Sequence, residues 1–424
     1  MSNPAKNKTG RRLTSLLGNT YLDNHARAAA GAFVVWGAII VPGEIFQGFE
    51  NVVGCFPESH SALCAAKGIG GDQCLKAEHL GYSMDLCSYA RIDIGCLSDG
   101  NRESPTMGLP RPDLLVSNTN NCSLLTKWFD VHSRDMGVPH FILDVPFCYG
   151  PQRAKDREYI VSQLRDLIKT VEKMSGQKFD PDRFCQAVSH SASAVVDWKR
   201  FMACAEHRPS GITVFDSFAQ MAPFLIARGT PELAEHYQLL ADETEANVRR
   251  GVFPVPNEQY RLLWDNIAPW HQLRRMSARL AELGANIVSA PYTSCIGSVE
   301  GGFDPLLFDE NEDPLWYLAR IQNHSVCPQG MELRLAALGP VIEQLGIDGV
   351  VFASNRSCKV FSVMQMDEQK QVREKYGIPT VMIDVDHADV RKFSEESVYT
   401  RLEALLENID ASRRARVADV NPES

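Results

Sequence analysis

The stretch GVVFASNRSCKVFSVMQ, residues 349–365, joins a short strand to the start of a helix. Its first six residues form an apolar run with β-branched side chains, which is typical of a buried strand in a parallel sheet. Apolar residues then recur from Val360 to Met366 at a spacing that suits a helix. Cys358 lies between the two elements, where the N–H groups of a helix N-terminus favour an anion and bias a thiol toward thiolate. A thiolate at this position can act as a nucleophile or as a metal ligand.

A similar arrangement of strand, polar turn, cysteine and helix occurs earlier, in LLVSNTNNCSLLTKW at 114–128, and this weak repeat suggests a duplication. The alternation of strands and helices in both halves predicts an α/β fold with two similar Rossmann- or flavodoxin-like parallel-sheet domains and extra helices. The predicted strands are 34–41, 51–59, 113–117, 138–147, 284–293, 348–358 and 377–391. The predicted helices are most of 74–100, 152–175, segments filling 181–280, and 394–408.

Ligands of open parallel sheets bind outside the carboxyl ends of the strands. Cys122 and Cys358 both follow such ends, so we expect the two thiols to meet in a cleft between the domains, with Cys87 as a possible third. The predicted division is an N-terminal helical arm with the first strand at 1–45, a first α/β domain at 46–235 and a second α/β domain at 236–424.

The bulk composition indicates a globular protein. The chain has 424 residues, of which 44% are hydrophobic, and its net charge of −10 does not suggest a nucleic-acid surface. The apolar run at 28–42 follows a basic stretch and resembles a signal peptide, but it is too short to span a bilayer and Pro42-Gly43-Glu44 is a poor cleavage site. We therefore interpret it as a core strand, and we expect a cytoplasmic protein that binds neither nucleic acid nor membrane.

Twelve cysteines are more than a chain of this length usually has, and no C-x-x-C pair occurs. In a reducing compartment they do not form a disulfide framework, and most are expected to be small core residues. Three thiolates from separate loops suit an iron–sulfur cluster, although from spacing alone buried core cysteines remain the alternative. The cysteines interpreted as plain core residues are Cys55, Cys64, Cys148, Cys185, Cys204 and Cys295.

The sequence around the three candidate cysteines resembles the family of 2-hydroxyacyl-CoA dehydratases and benzoyl-CoA reductases, of the 2-hydroxyglutaryl-CoA dehydratase D-component type. The alpha-type subunit is the most similar. The resemblance rests on LGYSMDLCSYARIDIG, PRPDLLVSNTNNCSLLTKWFD, VPHFILDVPF, SNRSCKVFSVMQ and IDVDHADVRKFSEE.

This resemblance implies a heterodimer of related subunits, each with a [4Fe-4S] cluster. It also implies a separate ATP-hydrolysing iron–sulfur activator that delivers an electron at low potential. In the dehydratases this electron converts the CoA thioester into a ketyl radical, hydroxide leaves, and an enoyl-CoA results. In the reductases, electrons and protons add to an aromatic acyl-CoA ring instead. No G-x-x-x-x-G-K-[ST] motif occurs here, so ATP use is assigned to the activator.

Matched residue by residue, Cys87, Cys122 and Cys358 correspond to the three cluster ligands of the family. The fourth iron position is then left for water or substrate. Glu58, in CFPESHSAL, matches an acidic residue near the substrate and could move protons. Cys327, in NHSVCPQG, is a possible fourth ligand that would close the cluster.

One departure from the family pattern concerns the motif WGAIIVPGE at 36–44. The related dehydratases have a serine three residues before the proline, whereas this chain has Ile39. The missing hydroxyl favours the reductase, whereas the motifs around the cysteines and DVDHADVR favour a dehydratase. The alternatives are therefore a 2-hydroxyacyl-CoA dehydratase, an aryl-CoA reductase, and a non-catalytic electron relay with a closed cluster.

Overall fold

The computed structural model describes residues 8–119, 121–297, 303–324 and 329–420. Its β-structure consists of two four-stranded sheets, one from each half of the chain. The first sheet contains β1 (Phe33–Gly37), β2 (Val52–Cys55), β3 (Leu114–Asn118) and β4 (His140–Leu143). The second contains β5 (Tyr260–Asp265), β6 (Ala285–Ser289), β7 (Gly349–Asn355) and β8 (Thr380–Val385).

The two sheets have the same topology. Their strand orders are β2-β1-β3-β4 and β6-β5-β7-β8, and every neighbouring pair is parallel. In each sheet the second strand lies on one side of the first strand, and the third strand lies on the other side. A crevice therefore opens at the carboxyl ends of β1 and β3, and of β5 and β7. The predicted α/β architecture with two parallel sheets is confirmed.

Helices surround both sheets. In chain order they are α1 (Lys8–Ala29), α2 (Glu44–Gln47), α3 (Pro57–Ala66), α4 (Gly70–His79), α5 (Ser88–Ser98), α6 (Ser123–Met136), α7 (Ala154–Ser175), α8 (Pro181–Ala203), α9 (Val214–Gln220), α10 (Ala222–Ile226), α11 (Pro231–Arg249), α12 (Leu273–Glu282), α13 (Pro291–Ser294), α14 (Pro314–His324), α15 (Met331–Leu345), α16 (Lys359–Ser362), α17 (Gln365–Tyr376) and α18 (Glu395–Val420). Two short 3-10 helices cover Cys204–Glu206 and Val390–Lys392.

The prediction of helices throughout 181–280 was wrong at β5, which pairs with both β6 and β7 inside its sheet. The strand YRLLWD carries two charged side chains, which conceal its buried character in the sequence. Both are compensated by ion pairs, because Arg261 pairs with Glu258 at 2.5 Å and Asp265 pairs with Arg334 at 3.1 Å. Buried charges are tolerated when such pairing and hydrogen bonding are complete.

Several strands end earlier than their apolar runs suggested. Strand β1 ends at Gly37 rather than at residue 41, and β6 ends at Ser289 because Pro291 begins α13. The apolar residues that follow these strand ends are in the loops that border the crevice. The interpretation of the run at 28–42 as containing a core strand is confirmed for Phe33–Gly37, where Val34, Val35 and Trp36 are almost fully buried.

Each sheet has its own hydrophobic core. Trp36 and Phe129 belong to the core of the first sheet, and Trp264 and Phe352 belong to that of the second. Helix α14 comes late in the chain but packs its Tyr317 into the first core, so the second half of the chain completes the first domain. The division at residue 235 stays a prediction. In the described part of the chain, no helix combines the length and the apolar composition that crossing a bilayer requires.

Candidate functional site

The three cysteines predicted to be ligands occupy equivalent local positions. Cys87, Cys122 and Cys358 are the N-cap residues of α5, α6 and α16. Cys122 follows β3 and Cys358 follows β7, which are the matching strands of the two sheets. Backbone N–H groups of the following turn face each sulfur, as predicted for Cys358.

The three thiols face one another across the cleft between the sheets. Negative charge on Cys358 or on Cys122 raises the pKa of Cys87, and charge on Cys122 raises the pKa of Cys358. All three side chains are only half-buried, although each is surrounded by protein. Cys87 and Cys122 pack against the core of the first sheet, and Cys358 packs beside Phe361.

The expectation that the helix N-terminus favours the thiolate form of Cys358 was wrong, because burial of the thiol has the larger effect on its pKa. Desolvation raises the pKa of Cys358 to about 12 and that of Cys87 well above its ordinary value, and it also raises the pKa of Cys122. The helix N–H groups lower each pKa, but they do not offset the burial. Thiols of this kind become thiolates when a metal replaces the proton as the compensating positive charge.

One buried carboxylate holds two of the cysteine loops together. The Ser88 hydroxyl donates to Asp386 Oδ1 at 2.7 Å, and the Ser357 hydroxyl donates to Asp386 Oδ2 at 2.6 Å. Ser88 directly follows Cys87 and Ser357 directly precedes Cys358. Asp386 therefore fixes the spacing of these two thiols through hydrogen bonds to the residues next to them in sequence.

The same loop contributes more contacts to this interface. His387 Nε2 lies 3.5 Å from Cys87 Sγ and 2.9 Å from the Ser88 hydroxyl oxygen. Arg91 donates to Asp389 Oδ2 at 3.0 Å, and both side chains are fully buried. The motif IDVDHADVR carried only the family resemblance in the sequence. In the structure, its side chains bind the loops and helix that follow Cys87 and precede Cys358.

We expect Asp386→Asn to lower the free energy of unfolding by about 3 kcal/mol, because one carboxylate oxygen that accepts charge-assisted hydrogen bonds is replaced by an NH₂ donor. Urea unfolding of the metal-free chain, followed by circular dichroism, measures this effect. Asp384→Asn is the matched control, because Asp384 is partly exposed and pairs with the exposed Arg356. It should cost less than about 1 kcal/mol. Equal losses in the two variants would contradict the role given to Asp386.

Glu58 lies on the same side of the cleft as Cys122. It sits in the first turn of α3, and its Oε2 accepts the backbone N–H of Ile39 at 2.6 Å. Burial raises the pKa of Glu58 to about 7, although the Ile39 N–H and the charge of Arg228 lower it. Charge on Glu58 raises the pKa of Cys122 and of Tyr89. A carboxyl group near its pKa at neutral pH can both accept and donate a proton.

The backbone of Ile39 connects the two charged groups of this region. Its N–H holds Glu58, and its carbonyl oxygen accepts a hydrogen bond from Arg228. A serine would make the same backbone contacts, so the departure at this position changes only the side chain. The Ile39 side chain is half-buried and apolar.

Aromatic side chains form another wall of the cleft. Trp270 Nε1–H donates to the hydroxyl of Tyr89, and Tyr89 packs edge-on against His387 with ring centroids 4.3 Å apart. Trp270 and Tyr292 also pack with Cys358 and Phe361. These rings limit the access of water to the cysteine loops.

Cys327 lies outside the described residues, so its candidacy as a fourth ligand stays a prediction. The cysteines interpreted as plain core residues divide into three groups. Cys55, Cys148, Cys204 and Cys295 are buried, and Cys185 is half-buried. Cys64 is buried too, but it belongs to a polar cluster.

That cluster, formed by His60, Cys64 and Cys96, was missed by sequence analysis. The three ligand-type atoms lie within 4.8 Å of one another, and all three side chains are buried. The hydrogen bond from Cys96 is the largest cause of a lowered pKa of Cys64, about 6, and His60 adds to it. The spacing H-x₃-C on a helix could have indicated that His60 and Cys64 share a face.

The chemistry of Cys87, Cys122 and Cys358 fits an iron–sulfur cluster. The donors are three soft thiols from separate loops, and helix N–H groups and the His387 ring nitrogen lie within reach of the sulfurs. Their sulfur atoms are not all within 4.8 Å of one another. This spacing leaves room for a cluster, in which each thiolate binds a different iron.

Comparison with known proteins identifies a family. Residues 38–409 match the family model for the 2-hydroxyglutaryl-CoA dehydratase D-component. The chain belongs to this family. The resemblance inferred from the sequence motifs is therefore confirmed, and the matched range contains most of the first sheet, all of the second and all three cysteines of the cleft.

Individual relatives of this D-component family member cover nearly the whole chain. The alpha subunit of (R)-phenyllactyl-CoA dehydratase from Clostridium sporogenes is 32% identical, over 91% of each chain. The alpha subunit of (R)-2-hydroxyisocaproyl-CoA dehydratase from Clostridioides difficile is 30% identical, over 96% of this chain and 98% of the relative. One subunit of the benzoyl-CoA reductase from Thauera aromatica is also 30% identical, over 88% of each chain. Both reaction types thus occur among relatives of similar identity.

Proposed function

We propose that this chain is the catalytic subunit of a 2-hydroxyacyl-CoA dehydratase, which converts an (R)-2-hydroxyacyl-CoA into an enoyl-CoA. The supporting observation is the convergence of Cys87, Cys122 and Cys358 on one cleft that also contains Glu58. The three thiols would hold a [4Fe-4S] cluster in the cleft between the domains. The names of the dehydratase relatives support the same reaction type.

Held by Cys87, Cys122 and Cys358, the cluster would supply one-electron chemistry at low potential to the thioester, and the net reaction is the loss of water. Glu58 would exchange a proton with the substrate, because its carboxyl group has a pKa near neutrality and lies beside Cys122. The Ile39 N–H orients this carboxyl group, and the nearby Arg228 favours its ionised form.

The partners that we propose follow from the family. Four relatives are named as alpha subunits of dehydratases, which supports a heterodimer with a related second subunit. A separate ATP-hydrolysing iron–sulfur activator would deliver the electron, since the chain has no P-loop motif of its own.

A second candidate function is aryl-CoA reduction. The observation that favours it is Ile39, whose apolar side chain stands where related dehydratases have a serine. The relative from Thauera aromatica, a subunit of benzoyl-CoA reductase, supports it as well. In this reaction Glu58 would supply protons to the reduced ring.

We expect the chain, purified without oxygen together with its partner subunit and supplied with activator and ATP, to form an enoyl-CoA from at least one (R)-2-hydroxyacyl-CoA. Mass spectrometry of the CoA esters measures the product. The matched controls are the (S)-enantiomer and the same mixture without ATP, neither of which should react. Reduction of benzoyl-CoA without any dehydration would instead establish the second candidate. Failure with both substrate classes, with the cluster intact, would support the electron relay.

A further inference from the structure

The cluster of His60, Cys64 and Cys96 is separate from the cysteine cleft. His60 and Cys64 lie one turn apart on α3, and Cys96 lies on α5. Their side chains are 1% exposed or less, so water does not separate them. The described structure therefore contains a second set of soft donor atoms that the proposed function does not use.

The spacing of these atoms matches that of zinc ligands. Zinc binds thiolate sulfur at about 2.3 Å and imidazole nitrogen at about 2.0–2.1 Å in a tetrahedron, which places the two ligand atoms about 3.6 Å apart. The distance from Cys64 Sγ to His60 Nε2 is 3.6 Å. Cys96 Sγ lies within 4.8 Å of both. A small inward shift of Cys96 is enough to close the site.

The hydrogen bonds around Ser104 indicate the required form of the imidazole. The Ser104 hydroxyl oxygen accepts the backbone N–H groups of Gly108 at 2.8 Å and of Thr106 at 3.3 Å. Its proton is then directed at His60 Nε2, which is 2.8 Å away. Nε2 is therefore the unprotonated nitrogen, and a metal bound at its lone pair would replace the Ser104 hydroxyl.

Charge decides which ion fits. Two thiolates and a neutral imidazole around a divalent ion form a neutral group, whereas a monovalent ion would leave a buried negative charge. The carboxylate of Asp93 is also nearby and is already held by His132 at 2.6 Å, so further negative charge would be unfavourable. Magnesium and calcium prefer oxygen ligands. Zinc satisfies both conditions.

We propose that His60, Cys64 and Cys96 bind a structural zinc ion that links α3 to α5. These helices carry Glu58 in the first turn of α3 and Cys87 at the N-cap of α5. The zinc ion would thus hold two walls of the cleft at a constant separation. The proposal does not depend on the identity of the reaction or on the iron–sulfur cluster.

The test is a metal analysis of the full chain, purified with its partner subunit from zinc-supplied cells. We expect about one zinc ion per chain in the wild type, and a loss of at least about tenfold in Cys64→Ala and in Cys96→Ala. Cys204→Ala is the matched control, because Cys204 is a buried cysteine of the other core. It should retain its zinc, and iron content should be normal in this control.

X-ray absorption at the zinc edge tests the wild type directly, so a variant that does not fold leaves the proposal testable. The expected spectrum has sulfur neighbours at about 2.3 Å and nitrogen or oxygen neighbours at about 2.0–2.1 Å. The proposal is overturned by protein without zinc, by zinc with only oxygen and nitrogen neighbours, or by a Cys64–Cys96 disulfide in the anaerobically isolated chain. Zinc that persists in both folded cysteine variants would also overturn it.

Discussion

Cys358→Ala will lower the cluster iron of the purified chain from about four atoms to less than about one, and Cys87→Ala and Cys122→Ala will do the same. The reason is the position of the sulfurs. Each is the N-cap residue of its own helix, on a separate loop, so none of the three can replace another. Iron and acid-labile sulfide analysis under anaerobic conditions measures the loss.

The control for these variants is Cys295→Ala. Cys295 is buried and packs beside Phe361 in the group of side chains that contacts Cys358, but it is not an N-cap residue that faces the cleft. It should keep its iron. Circular dichroism shows whether each variant is folded, since alanine leaves the backbone at the cap position unchanged. Full iron content in any folded variant of the three cleft cysteines would contradict the ligand assignment.

The positions of these cysteines could be predicted because local sequence determines them. A short apolar strand, a polar turn and a helical pattern placed Cys122 and Cys358 at strand ends, and the structure has both there. The rule that ligands bind at the carboxyl ends of parallel strands predicted that Cys122 and Cys358, from the two halves of the chain, lie close together. The family motifs then added Cys87, whose position before α5 has no strand signal.

Features that depend on distant partners could not be predicted in this way. Asp386 is separated by 298 residues from its partner Ser88, and no local pattern relates the two. Strand β5 was missed because the buried ion pairs of Arg261 and Asp265 exist only in the folded chain. Burial of the cleft thiols, which reversed the expected direction of their pKa values, likewise depends on the packing of both domains.

Glu58→Gln will lower turnover at least about tenfold and leave the cluster in place, because an amide has the shape of the carboxyl group but cannot exchange its proton. The pH dependence gives a second measurement. Glu58 has a pKa of about 7, so the proton-accepting form of the wild type grows as the pH rises through neutrality. Turnover should therefore rise across this range in the wild type, and this step should be absent in the variant.

Glu44→Gln is the matched control for Glu58→Gln. Glu44 is a buried carboxylate on α2 that, like Glu58, raises the pKa of Arg228. It has no such effect on the pKa of Cys122, which Glu58 does raise. A similar loss in both variants would mean that the charge balance around Arg228 matters, and not proton exchange at Glu58.

The combination of Glu58→Gln with Cys327→Ala separates a substrate site from an electron relay. If substrate binds to this chain, one iron lacks a cysteine ligand, so Cys327→Ala keeps the full iron content while Glu58→Gln loses activity. If the cluster is closed by four cysteines, Cys327→Ala loses iron and Glu58→Gln has no effect, because the reaction then takes place on the partner subunit. Residue 39 is isoleucine, so it has no hydroxyl group that could bind the substrate. If substrate binds to this chain, activity should therefore depend strongly on Glu58.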